Sequence, residues 1–293
     1  MGKTYYYISQ SPAAFINEAA QLKPNMLVNF SVGYSIFKDC TYSREGEFHG
    51  SWAKTLRTLK ESSFAATASL TDQIIDEINT VEFHEVQWKF LTHLEEGDEV
   101  DVDRYIAGHE RCWNGVRRRR KFRHSVRIYI NFGGNAFRSE RELAVAGAVG
   151  VTFAEIMESM GLSAEIWAVH CSTCIDCAGN HIVNLVKLKS QHEYADMGLI
   201  NWFLGNDGVF RNALFRQHIL ASIKKGIDVM PGLGHSQTIG LDEIGLTESE
   251  KRSAIIVPSL FSSDGAKKWL SEALSDQELL HRIIYQEDDI INQ

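Results

Sequence analysis

The chain has no run of about 18 consecutive apolar residues, the length a membrane-spanning helix needs, so no span is expected. It has only 5 cysteines in 293 residues. They are too few and too unevenly placed for a secreted disulfide scaffold, and reduced thiols in a cytosol are expected. Met1-Gly2-Lys3-Thr4-Tyr5 lacks the apolar core of a signal peptide. Met1-Gly2 could start a myristoylation motif, but Tyr6 stands where Ser or Thr is needed. An excess of positive charge is missing as well: 30 Lys and Arg face 38 Asp and Glu, for a net charge of −8. Bulk charge therefore excludes a uniformly basic nucleic-acid binder, and any polyanion contact must come from local clustering. No internal repeat or low-complexity tract stands out.

One further absence is local. No acidic residue occurs between Glu110 and Glu140. Within that gap lie Arg111, Arg117, Arg118, Arg119, Arg120, Lys121, Arg123 and Arg127, with Trp113, Phe122 and Tyr129 among them. Cations packed this closely repel one another, so the arrangement calls for anions. A phosphate backbone supplies them, with a gain from counterion release. Aromatic rings beside guanidiniums suit single strands, whose unpaired bases stack while the cations hold phosphates. The competing reading is a solvated loop whose charge offsets the preceding acidic run, Glu95 to Asp103.

After the arm, Val126 to Asn131 reads as a strand, Phe132-Gly133-Gly134-Asn135 as a turn, and the small-residue apolar stretch to Met160 as a helix that Gly161 stops. Ala164 to His170 follows as a strand, then Ile182 to Leu188 as another. Asp196 to Lys225 reads as mostly helical with a break near Gly205 to Gly208; Ala254 to Val257 is a buried-type strand; two helices follow, Ala266 to Leu274 and Asp276 to Tyr285. Strands alternating with helices predict an α/β fold with a Rossmann-like parallel sheet. Upstream, a helix over Pro12–Leu22 capped by Ser11, a strand from Met26 to Ile36, a helix from Ser51 to Leu59 and one from Thr71 to Ile78 suggest a mixed lobe; Val81 to Leu94 fits strand or helix. The expected organisation is a mixed N-terminal region over 1–110, a core with its basic arm over 111–275, and a C-terminal helix with an acidic tail over 276–293.

Other candidate sites are weaker. The glycine turn has neither G-x-G-x-x-G spacing nor a P-loop lysine. In a von Willebrand A-type domain that turn carries Asp-x-Ser-x-Ser and a divalent metal. Here Asn131, Gly133 and Asn135 stand in those places, so an empty metal position is expected. Cys171, Cys174 and Cys177, with His181, have C-x-x-C-x-x-C spacing that could hold zinc. A second separated pair is missing, and no cofactor is expected. His235-Ser236 lies in a glycine-rich loop, but no G-x-S-x-G accompanies it. The tail residues Asp288, Asp289, Ile290 and Ile291 resemble the acidic-apolar tip with which bacterial single-stranded-DNA-binding proteins dock partners.

Three pieces together resemble a family of tailed-phage proteins: Gly50-Ser51-Trp52 entering a helix, Asp103-Arg104-Tyr105-Ile106-Ala107-Gly108-His109-Glu110, and the strand–helix–strand from Val126 to Ala168. The resemblance covers roughly residues 45 to 190. It implies a degenerate, von Willebrand A-type core. It also implies similarity to single-stranded-DNA-binding cofactors for replication and transcription in phages with a giant virion RNA polymerase. The expectation is a non-enzymatic protein of the host cytoplasm that binds single-stranded DNA as a homo-oligomer, with phage RNA polymerase or replication proteins as partners. The alternatives are a protein-binding scaffold using the von Willebrand A-like face and a zinc-dependent enzyme acting on nucleic acid.

Overall fold

A computed structural model describes residues 4–23, 26, 52–62, 64–78, 90–94, 99–100, 105–106, 113–116, 125–132, 138–173, 181–191, 193, 196–206, 208–225 and 239–284. The chain begins with β1 (Thr4–Ser9) and α1 (Pro12–Ala19), followed by α2 (Trp52–Glu61) and α3 (Ala65–Ile78). Three short strands come next: β2 (Phe90–Leu94), β3 (Glu99–Val100) and β4 (Trp113–Val116). Then come β5 (Ser125–Asn131), α4 (Glu140–Ser159), β6 (Ser163–Thr173) and β7 (His181–Lys189). Helix α5 (Met197–Gly205), a π-helical turn (Val209–Ala213), α6 (Leu214–Lys225), a 3-10 turn (Leu241–Ile244) and α7 (Glu248–Arg252) lead to β8 (Ala254–Val257), α8 (Ser263–Ser275) and α9 (Gln277–Ile284).

The main sheet has the order β1-β7-β6-β5-β8. Alternation along β5 sends Val126, Ile128 and Ile130 to the face that α4 covers, and Tyr129 to the other. Helix α4 starts where the sequence sets a reciprocal cap. The Glu142 amide donates to Ser139 Oγ at 3.3 Å, and the Ser139 amide donates to Glu142 Oε2 at 2.9 Å. From Leu143 to Ala154 every residue of α4 is buried, so this is an interior helix. Its small residues let neighbours approach. At Gly150 an added Cβ would fall inside the Ile130 side chain, 2.6 Å from Cγ1. The helix ends at Gly161, whose φ of +84° is the left-handed conformation glycine adopts without strain. Around α4 the fully buried Phe153, Met157, Trp202 and Phe203 form the bulk of the core. Each buried side chain of this kind is worth roughly 1.5–3 kcal/mol.

The α/β, Rossmann-like architecture predicted from the alternation is what the chain adopts, with one departure. Strand pairs β1–β7, β5–β6 and β5–β8 are parallel, but β6 and β7 are antiparallel. The reason is connection length. Thr173 pairs with His181, leaving only 174–180 between the strands, whereas a parallel crossover needs a dozen residues or more.

The expected boundary at residue 110 does not separate two units. Strand β1 joins the main sheet, with Thr4 opposite His181. Phe15, Ile16, Ile74 and Ile78 are buried in the same core as α4, and Trp52, Leu56, Leu59 and Phe64 pack against it. Of the described N-terminal elements, β2 and β3 stand apart, pairing with β4 in a three-stranded sheet of order β2-β4-β3. The boundary at residue 276 is also crossed, because Ile283 is buried in that core and Leu279 and Leu280 pack on it. The undecided stretch 81–94 contains a strand at Phe90–Leu94; its first part, like the strand expected beyond Met26, lies outside the described residues. No described helix is long and apolar enough to cross a membrane.

Candidate functional site

The basic arm connects the small sheet to the large one. Strand β4 ends at Val116 and β5 begins at Ser125. Arg111, Arg117, Arg118, Arg119, Arg120, Lys121, Phe122 and Arg123 lie outside the described residues, as do the tail residues Asp288, Asp289, Ile290 and Ile291. Trp113 opens β4, with its backbone paired to Leu94 and Val100.

Arg127 is described, and it stands apart from the rest of the arm. Its guanidinium meets Glu250 at 2.8 Å and Glu165 at 3.4 Å. Lys187 joins Glu165 at 3.0 Å from the far side and sits 4.7 Å over the Trp167 ring. Glu250 is held at a pKa of about 2, first by the Thr247 amide and then by Arg127. Arg127 thus has two carboxylates of its own chain as ion-pair partners. The other described cation of the acid-free gap, Arg138, reaches Glu142 at 2.7 Å and lies 4.0 Å over the Phe261 ring.

The ends of β5 and β8 flank the point where the strand order reverses, which is where open α/β sheets bind ligands. Asn131 closes β5 there and is buried; Gly133 and Asn135, the other counterparts of metal-binding positions, lie outside the described residues. Helix α4 begins at Glu140, after a stretch that lies outside the described residues. Here Glu142 already takes the Ser139 amide, the Ser139 hydroxyl at 3.0 Å and Arg138. These contacts lower its pKa, the Ser139 amide most. Ser139 and Glu142 thus cap the start of α4 reciprocally.

Of the thiol–imidazole group, Cys171 and His181 are described. Cys171 is buried, and its Sγ lies 4.0 Å from His181 Nδ1. Burial pushes the thiol up to about 11, with a smaller contribution from Glu243. Cys174 and Cys177 lie outside the described residues. Among the described residues no three His, Cys, Asp or Glu side chains form a metal-binding group.

A second constellation was not legible in the sequence. On the α4 side of the sheet, His170 sits opposite Asn184, and both are fully buried. His218 of α6 lies over them: the two imidazole centroids are 5.1 Å apart, and Ser172 Oγ is 3.2 Å from His218 Nδ1. The Phe132 ring closes one side, 5.9 Å from His170. Burial lowers His170 to about 3 and drives His218 well below its usual value, with His170 adding to the latter. Both rings are therefore neutral at pH 7. A hydroxyl against an imidazole is half of a nucleophile–base pair, but Ser172 is only 8% exposed and His218 not at all. The contact joins α6 to the sheet. Nearby positions share this character. The side-chain amides of Asn184, Asn201 and Gln217 are buried with no hydrogen-bond partner among the described residues. The available signal was Arg216-Gln217-His218, three polar residues set within the apolar run of α6.

A family model described as "Domain of unknown function (DUF7192)" matches residues 4–281. No curated protein and no solved structure matches the chain.

Proposed function

The chain belongs to the DUF7192 family, and for it we propose a non-enzymatic role in binding single-stranded DNA through the arm that joins β4 to β5. The observation that carries the reading is the acid-free gap from 111 to 139 in a chain of net charge −8. At its C-terminal end, Arg127 and Arg138 have carboxylates of this chain within ion-pair distance. Arg117, Arg118, Arg119, Arg120, Lys121 and Arg123 are concentrated in a stretch with no acid of its own. They grip phosphates, while Trp113 and Phe122 stack bases. One thing supports a non-catalytic role: the Ser172–His218 contact is sealed from solvent. The chain acts in the host cytoplasm as a phage replication or transcription cofactor. Several copies line up on a strand, and Asp288, Asp289, Ile290 and Ile291 recruit a polymerase or replication protein.

A salt titration of oligonucleotide binding tests this. Each phosphate contact on a single strand contributes about 0.7 to the slope of log K against log salt. Replacing Arg118, Arg119 and Arg120 with Gln should flatten that slope by about 2. An unchanged slope removes the arm from the account, and no binding at low salt removes the function.

A further inference from the structure

Among the described residues β1 pairs with β7 alone and forms one edge of the main sheet. The outer row of amides and carbonyls on such a strand is a template for another strand. Proteins that stay single guard their edges with a lysine, a proline, a bulge or a very short strand. The opposite edge is guarded: β8 has only 4 residues, and Arg282 donates to its Ala254 carbonyl at 3.3 Å. Strand β1 carries none of these devices. Its 6 residues run in unbroken register, from Thr4 opposite His181 to Ser9 opposite Val186, with no charge and no proline. Tyr7 turns to the helices, where its hydroxyl donates to the Ala221 carbonyl at 3.0 Å. Tyr6 and Ile8 therefore point to the other face, and they are 40% and 58% exposed. The Tyr6 ring is seated on Gly245, where an added Cβ would fall 2.7 Å from Cζ, so its direction is set.

We propose that β1 pairs antiparallel with β1 of a second copy of this chain, about a two-fold axis at Tyr7, joining two five-stranded sheets into one. A two-fold axis normal to the sheet keeps the exposed face of both copies on the same side. Tyr7 then lies opposite Tyr7 of the partner subunit, Tyr6 opposite the partner's Ile8, and Ile8 opposite the partner's Tyr6. The two side chains that each copy exposes cover one another, as aromatic–β-branched cross-strand pairs. An axis at Tyr6 would instead set Ile8 against the smaller, polar Thr4 of the partner subunit. The occupant is a second copy because the strand is complementary to itself in this register. It is also uncharged: a two-fold axis doubles every charge beside it, and here there is none to double. In a molecule of net charge −8, this edge brings no like charges together. A strand of this length spans roughly 20 Å. That is a narrow contact, so the dimer forms and dissociates with concentration. The pairing needs no DNA and is independent of the arm.

The test is sedimentation of the full chain without DNA, over a series of protein concentrations. The mass should rise from 33.1 kDa toward twice that value. Ile8→Lys and Tyr6→Glu should each hold the chain at the lower mass. Ile8→Lys changes a side chain that is 58% exposed, so its urea midpoint should match the wild type. Mixed in equal amounts, the two variants should regain the dimer, because the ammonium of one stands opposite the carboxylate of the other. Wild-type chain that stays at 33.1 kDa throughout overturns the proposal and leaves the edge to a strand of another protein. Wild-type association in the Ile8→Lys variant overturns it too, and a mixture that remains monomeric overturns the register about Tyr7.

Discussion

Lowering the pH from 7 to 5 should cost the fold about 2 kcal/mol through the His170 imidazole, with a further loss through His218. His170 has a folded-state pKa of about 3, and burial holds His218 well below 6.5 as well. In the unfolded chain both titrate near 6.5. As pH falls through that value the unfolded state takes up protons and the native state does not. Stability is therefore complete above 6.5 and drains away below it. At pH 5 the native His170 ring is still neutral, so its loss depends on the unfolded titration alone. It amounts to ~2 kcal/mol for this ring, because a tenfold rise in proton activity is worth about 1.4 kcal/mol; His218, also held low by burial, adds to the loss. Against a native stability of about 5–15 kcal/mol, that is a large share. Most carboxylates titrate lower and add little above pH 5. Urea unfolding at pH 7, 6 and 5 measures the effect directly, with the midpoint falling while the slope m stays constant. His218→Gln keeps a polar group toward Ser172 and removes one titration, so its loss over the same range should be smaller than that of the wild type. A wild-type midpoint that does not move between pH 7 and 5, or a variant with the full wild-type dependence, refutes the account.

Three further outcomes follow from the packing and the charges. Gly205→Ala places a methyl 2.9 Å from Ala144 Cβ and 3.2 Å from its Cα; with backbone on one side there is no soft partner to yield, and urea unfolding should show a loss of about 1–3 kcal/mol. Lys189→Met removes an ammonium whose side chain is 2% exposed and which reaches Glu158 and the Ala164 carbonyl, both at 2.7 Å. The stranded carbonyl should cost about 1–3 kcal/mol in the same assay, while Glu158 at the surface rehydrates. Arg127→Gln should leave the salt slope of oligonucleotide binding at its wild-type value and lower the thermal midpoint, because its partners Glu250 and Glu165 belong to the fold. A reduced slope would return Arg127 to the phosphate contacts.

Local signals in the sequence located the elements well. Ser11 caps α1 through the Ala14 amide at 3.1 Å, and Asp276 caps α9 through Leu279 at 3.0 Å. Gly161 ends α4, and the break near Gly205 falls between α5 and the π-helical turn. Such features depend on neighbours within four residues. The direction of β7 was readable in principle, since the short connection 174–180 excludes a crossover. The place of β1 was not: nothing in Thr-Tyr-Tyr-Tyr-Ile-Ser indicates that its partner is residues 181–186. The His170, Asn184 and His218 group was hidden for the same reason, because only the sheet and α6 bring the three together. The neutralisation of Arg127 also depends on distance in sequence. Glu165 arrives one strand later, and Glu250 from α7 far down the chain.

The pairing of β1 with β7 bears on how the protein is made. Thr4 leaves the ribosome well before its partner His181 is synthesised. At roughly 5–20 residues per second, the wait is on the order of ten to thirty seconds. Throughout that interval Tyr5-Tyr6-Tyr7-Ile8 is a sticky, strand-forming segment with nothing to dock on. The neighbouring β6–β7 hairpin, by contrast, can close within microseconds of emerging. Translation thus delivers the outermost strand well before its seat in the sheet, which makes this strand the part of the described chain that waits longest for its partner.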